Sequence, residues 1–228
     1  MDAYLEGNRA YYEQGYEAEC VDHPVFRVYG TILRDDFGLD GSGGEKLVDF
    51  GCGQGAAVNF FAAHGFNAYG VDISGTDIDR ARARYPRIAD NFALIDPKPL
   101  PDDVFFGGDL DIVVAIQSLY FLSDTDMQVR LRSLYDQMKP GAVFYATMMG
   151  TQSYYWENAE KAQDGLYRIT VNWKRIKIND MYMTFVRNEQ DLIRKFHMFR
   201  PVHLGFYNGR FRSDEGEFYH YTFVGRKD

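Results

Sequence analysis

From Lys46 to Met148 short apolar runs alternate with segments whose apolar residues recur at helical spacing, and a parallel sheet joined by crossover helices is the fold that buries such a pattern. Lys46 to Phe50 reads as the first strand. Gly55 to His64 follows, with Ala56, Ala57, Phe60 and Phe61 on one helical face and Gly65 as terminator. Asn67 to Asp72 is a second strand; the next helix is capped at Ser74, carries Ile78, Ala81 and Tyr85, and stops before Pro86. Asn91 to Ile95 is a weaker third strand. Within Asp111 to Gln117 the run Ile112, Val113, Val114, Ala115, Ile116 lacks polar alternation, as a strand covered on both faces requires. A helix then starts at Ser123, with Asp126 in capping-box spacing, places Met127, Leu131, Leu134 and Met138 on one side, and runs to Pro140-Gly141. The fifth strand is Ala142 to Met148.

After Gly150 the alternation breaks. Tyr167, Ile169, Val171 and Trp173 alternate with polar residues, and Met181, Met183 and Phe185 do so again, which predicts an inserted β-hairpin turning at Asn179-Asp180. A short helix capped by Asn188 and two antiparallel strands, about Val202 to Tyr207 and Phe218 to Gly225, close the chain. The 228 residues suit one domain, divided as 1–44, a core at 45–150, an insert at 151–187 and a final helix and hairpin at 188–228.

The informative stretch is Asp49-Phe50-Gly51-Cys52-Gly53-Gln54-Gly55, between a strand and a helix, where glycines let backbone approach a ligand. Gly51, Gly53 and Ala56 satisfy a dinucleotide-binding spacing, and Asp72 ends the second strand where it can accept ribose hydroxyls. The spacing fits both NAD and S-adenosylmethionine. Charge separates them: Asp49 repels a pyrophosphate and attracts a sulfonium and an ammonium.

On these residues the chain resembles the class I S-adenosylmethionine-dependent methyltransferases, small-molecule branch. The resemblance implies a seven-stranded doubly wound α/β sheet of order 3-2-1-4-5-7-6 with strand seven antiparallel. It also implies that Asp49, Gly51, Cys52 and Gly53 surround the donor's methionine part, that Asp72 holds the ribose, that Ile73 and Asp96 meet the adenine, and that Gln117 lies beside the donor. Ser118 and Tyr120 fall at the end of strand four, where the acceptor is expected, Ser118 as an acceptor contact and Tyr120 as a catalytic residue whose hydroxyl can polarise that of the acceptor. The first 44 residues take the place of the family's lid helices; Tyr12, Tyr16 and Arg27 there, with Tyr155 and Trp156 after strand five, are candidate acceptor contacts.

Methyl transfer from sulfonium needs little beyond alignment and, for a hydroxyl acceptor, a base. Of His23, His64, His197, His203 and His220, the last is preferred because it lies early in strand seven, near the final turn with Tyr207, Arg210, Arg212 and Tyr219. The leading expectation is O-methylation of a small polar molecule such as a sugar or surface-glycan precursor. An NAD-linked oxidoreductase and a non-catalytic donor-binding partner subunit are the alternatives. A net charge of −8 opposes nucleic-acid binding. Cys20 and Cys52 suit neither a disulfide framework nor a zinc site, so no metal is expected. Without an apolar span or leader pattern the expectation is a cytoplasmic protein away from membranes, with a homodimer as a further option. The 17 Tyr and 18 Phe leave two readings, aromatic pockets or an aromatic core.

Overall fold

The computed structural model describes residues 24–173, 176–210, 212–213 and 216–228. Residues 24–37 form α1, α-helical at Pro24–Arg27 and Asp35–Phe37 around a π-helical middle, Val28–Arg34. Then come β1 (Lys46–Phe50), α2 (Ala56–Ala63), β2 (Asn67–Asp72), α3 (Gly75–Arg84), β3 (Phe92–Leu94), β4 (Leu110–Ala115), α4 (Asp124–Gln137) and β5 (Met138–Met149). The remainder is α5 (Tyr154–Glu157), β6 (Ala159–Lys161), β7 (Tyr167–Trp173), β8 (Ile176–Met183), α6 (Glu189–Lys195), β9 (Arg200–Asn208) and β10 (Tyr219–Arg226).

The main sheet runs β3-β2-β1-β4-β5-β10-β9. Its first five strands are parallel, and β10 lies antiparallel between β5 and β9. Counting β9 and β10 as strands six and seven, this is the order expected from the sequence. Period-two alternation in the central strands feeds two cores. Leu47, Ile112, Val114, Val143 and Tyr145 face α2 and α3 with Val58, Phe61 and Ile78, and α1 joins this side through Val25, Val28 and Leu33. Val48, Val113, Phe144 and Phe223 face the other way, onto Leu131 and Leu134 of α4 and Leu192 and Phe196 around α6. Much of the phenylalanine is core: Phe144 stacks on Phe199 at 4.1 Å and lies 5.4 Å from Phe196.

The helices start where the capping residues place them. Ser74, Ser123 and Asn188 accept from the N–H groups of Asp77, Asp126 and Asp191. Two boundaries differ from expectation. The helix after Ser123 stops at Gln137, because Pro140 biases its predecessor away from helix and Met138 pairs with Leu110 in the sheet. The insert is a three-stranded sheet, β6-β7-β8, with Asn179-Asp180 inside β8 and Trp173 paired with Ile176. Register decides this: Ile169 opposes Met181 and Tyr167 opposes Met183, with an irregularity between Ile169 and Val171 absorbing the offset. The loop before β7 docks the insert on the core, since Asp164 accepts from the N–H and hydroxyl of Thr125 in the first turn of α4.

Candidate functional site

β1 lies between β2 and β4, at the switch point where open α/β sheets bind ligands beyond the carboxyl ends of their strands. The loop leaving β1 folds back on β2: the N–H groups of Gly51 and Cys52 donate to the Val71 carbonyl at 2.8 and 3.0 Å. Gly51 has φ +80°, and a Cβ there would overlap the Cβ of Ser118, whose hydroxyl donates to the Phe50 carbonyl at 2.7 Å. Ser118 thus buttresses the loop from below. Gly53, at φ +51°, is different, because a Cβ there would meet nothing within 4 Å. Its N–H donates to one Asp72 oxygen at 2.8 Å, while the other Asp72 oxygen accepts from the Ser74 N–H at 2.8 Å. The carboxylate keeps lone pairs for two more donors, as a ribose diol supplies.

Asp49 is 4% exposed, at the end of β1. Burial, then the charge of Asp72, raises its pKa to about 7, with no hydrogen bond acting the other way. A buried carboxylate beside a like charge and without a counter-ion among the described residues favours a cationic ligand, and would penalise a pyrophosphate. The residues present therefore fit S-adenosylmethionine: Asp49 would meet its positive methionine part at the open Gly53 surface, and Asp72 its ribose. Cys52 forms the wall. Its thiol pKa is pushed up by burial, then by Asp49 and Asp72, and a Cβ on Gly70 would meet its Sγ at 2.7 Å. Ile73 and Leu94, each 57% exposed, flank Asp72 along β2 and across the β2–β3 register. Exposed Asp96 accepts from the Lys98 N–H at 2.8 Å.

A second cluster forms where β4, β5 and β9 end and β10 begins. Gln117, at φ +54°, donates through its N–H to Thr147 Oγ1 at 2.7 Å and through Nε2 to Tyr207 Oη at 2.9 Å. Such backbone strain concentrates at functional sites. The Tyr207 ring stacks on His220 at 4.9 Å, Phe218 meets it edge-on at 4.4 Å and Tyr120 lies 5.7 Å away. His220 is fully buried, and burial lowers its pKa to about 4. With Nδ1 3.3 Å from the Phe218 carbonyl, the neutral ring places its proton there and leaves Nε2 as an acceptor, which has no partner among the described residues. Burial, with Tyr207 and Tyr155 nearby, pushes the Tyr120 hydroxyl pKa up, so it stays protonated.

The other predicted residues separate. Tyr155 approaches the cluster, with its ring 6.0 Å from Phe218, whereas Trp156 packs on Tyr167 and Phe185. Arg27 is exposed on α1, which packs on α2 through Phe26 and Tyr29 against Phe60. Arg210 donates to the carbonyls of Arg212 and Ser213. His64 caps its own helix through Phe60, and His203 pairs with Asp36. Tyr12, Tyr16 and His23 lie outside the described residues. Thr147, Phe218 and Leu94 escaped the sequence reading; a threonine inside a buried apolar strand was the available signal for the first.

Residues 48–144 match the family described as Methyltransferase domain. An uncharacterised methyltransferase of Synechocystis is 28% identical over 104 residues, 45% of this chain and 46% of that one. A probable S-adenosylmethionine-dependent methyltransferase of Mycolicibacterium smegmatis is 29% identical over 101 residues, 44% of this chain and 37% of that one. The chain thus spans less than half the length of these curated relatives. Among solved structures, an S-adenosylmethionine-dependent methyltransferase of Methanosarcina mazei superposes with TM-score 0.64 at 15% identity, covering 90% of this chain and 98% of that one. A magnesium protoporphyrin IX methyltransferase of Synechocystis, solved with bound S-adenosylmethionine, has TM-score 0.54 at 16% identity, over 81% of this chain and 71% of that one. Residues 48–144 thus match a methyltransferase-domain family, and the strand order and solved structures give the chain the class I methyltransferase fold.

Proposed function

We propose that the protein transfers the methyl group of S-adenosylmethionine to a hydroxyl oxygen of a small molecule, with His220 accepting the hydroxyl proton. The observation that carries the donor half is Asp49, a buried carboxylate with no counter-ion among the described residues, on the strand that leads into the open Gly53. The bound donor supplies a methyl group already activated by its positive sulfur. Asp49 would hold the donor's methionine part and Asp72 its ribose, and Gly53 leaves room for it. His220 offers Nε2 as a neutral acceptor in an apolar surround, and would take up the hydroxyl proton as the C–O bond forms and the S–CH3 bond breaks, its electron pair leaving on the sulfur of S-adenosylhomocysteine. The rings that cover Nε2 must part to admit the acceptor. Tyr207, Phe218 and Tyr155 then give the C–H face of a sugar ring a platform, which keeps sugars and glycan precursors within the proposed class.

The test is transfer of labelled methyl from the donor to hydroxylated small molecules, compared between wild type and His220→Gln. The expected result is turnover that falls about a hundredfold in the variant while S-adenosylhomocysteine binding stays within about twofold. Unchanged turnover at saturating acceptor removes His220 from the reaction.

A further inference from the structure

A cavity of about 420 Å³ lies between the insert, α4 and α6, and it shares no lining residue with the glycine loop or the His220 cluster. One wall is aromatic: Trp156, Tyr167 and Phe185 meet at tilted or edge-on angles, with centroids 4.8, 5.2 and 5.7 Å apart. The facing wall carries Asp124, Asp191, Arg194 and Lys195, and Arg187 joins them. Four of these charges cancel in two ion pairs, Arg194 with Asp191 and Lys195 with Asp124. Arg187 is left over. Its backbone N–H donates to Asp191 Oδ2 at 3.0 Å and its carbonyl accepts from Tyr221 Oη at 3.1 Å. Its guanidinium makes no hydrogen bond or ion pair among the described residues.

We propose that this cavity is a second small-molecule site, for an aromatic carboxylate whose ring packs on Trp156 and Phe185 and whose anion pairs with Arg187. The volume sits toward the lower end of small-molecule pockets, about 300–1,000 Å³, which suits one or two fused rings. A neutral ring leaves Arg187 uncompensated, a cation meets an excess of positive charge, and the planar carboxylate matches the guanidinium fork. Trp156, Tyr167, Phe185, Arg187 and Arg194 all lie outside the matched residues 48–144. The site therefore goes beyond methyl transfer by the core domain, and its test needs no donor.

The experiment titrates the full chain with 2-naphthoate and with the neutral 2-naphthalenemethanol, by calorimetry and by the emission of its two tryptophans. Saturable naphthoate binding, at least about tenfold tighter than the alcohol, is expected. Arg187→Gln should erase that preference and Arg187→Lys keep part of it, with melting temperatures unchanged. Trp156→Phe should keep the binding heat and lose most of the emission change. The site is disproved by absence of saturation up to about 10 mM, by equal affinity for the alcohol, or by a preference that survives in Arg187→Gln.

Discussion

Asp49 is a residue held against its own preference. Its folded pKa of about 7 lies above the ordinary 3.8, so the fold binds its proton more tightly than the unfolded chain does. That contribution is complete below about pH 4 and is lost as pH rises through 7. At pH 8 the free protein therefore carries a penalty that Asp49→Asn removes. Urea melts at pH 8 should show the variant more stable by about 1–3 kcal/mol, with little difference near pH 4. The same variant should bind S-adenosylhomocysteine at least about tenfold more weakly. If the substitution destabilises at pH 8, the carboxylate is satisfied by the fold and has no need of a ligand. Two glycines divide the loop's work in a way that can also be measured. Gly53→Ala places a Cβ in open space at the cost of a left-handed residue, about 1 kcal/mol, and should lose donor affinity in a folded protein. Gly51→Ala collides with Ser118 and should lower the melting temperature much further.

At the scale of elements, α4 holds the long loop after β3. Arg130, 1% exposed, pairs with Asp103, donates to the Asp96 carbonyl at 3.1 Å and lies over Phe50 and Phe105. Ser133 and Gln137 donate to the Asp103 carbonyl. The pair is asymmetric, because Asp103 is 21% exposed. Asp103→Ala strands a buried cation and should cost about 3–5 kcal/mol, whereas Arg130→Met leaves a partly hydrated carboxylate and should cost about 2 kcal/mol or less. Urea denaturation of both variants ranks them, and the reverse order contradicts this reading. Arg130 shares helical phase with Met127, Leu131 and Leu134, so a cation on the apolar face was visible in the sequence, but its partner was not. The same division runs through the other elements. Caps at Ser74, Ser123 and Asn188 are local chemistry and could be read directly. The end of α4, the short β6 and the register of the insert depend on pairing between strands, which local residues do not encode.

For the molecule as a whole, the proposed donor cradle could be assembled from the sequence because Asp49, the glycines and Asp72 come from one β-α-β step, where spacing in sequence is spacing in space. The His220 cluster draws on Gln117, Thr147, Tyr207 and Phe218 from separate strands, so only its members near strand ends could be guessed. Among the described residues the aromatic surplus went largely into the two cores, on the α4–α6 face and on the α1–α2 face, with a remainder around His220 and in the insert. What unites these parts is one charge at the end of β1, and calorimetric titration of the protein with S-adenosylhomocysteine and with NAD between pH 6 and pH 8 tests it most directly. S-adenosylhomocysteine keeps the ammonium, so its affinity should rise up to about tenfold across that range as Asp49 ionises, with proton release on binding near pH 7, and NAD should give no saturable heat. Tight NAD binding with S-adenosylhomocysteine ignored, or donor-product affinity independent of pH, would contradict the account.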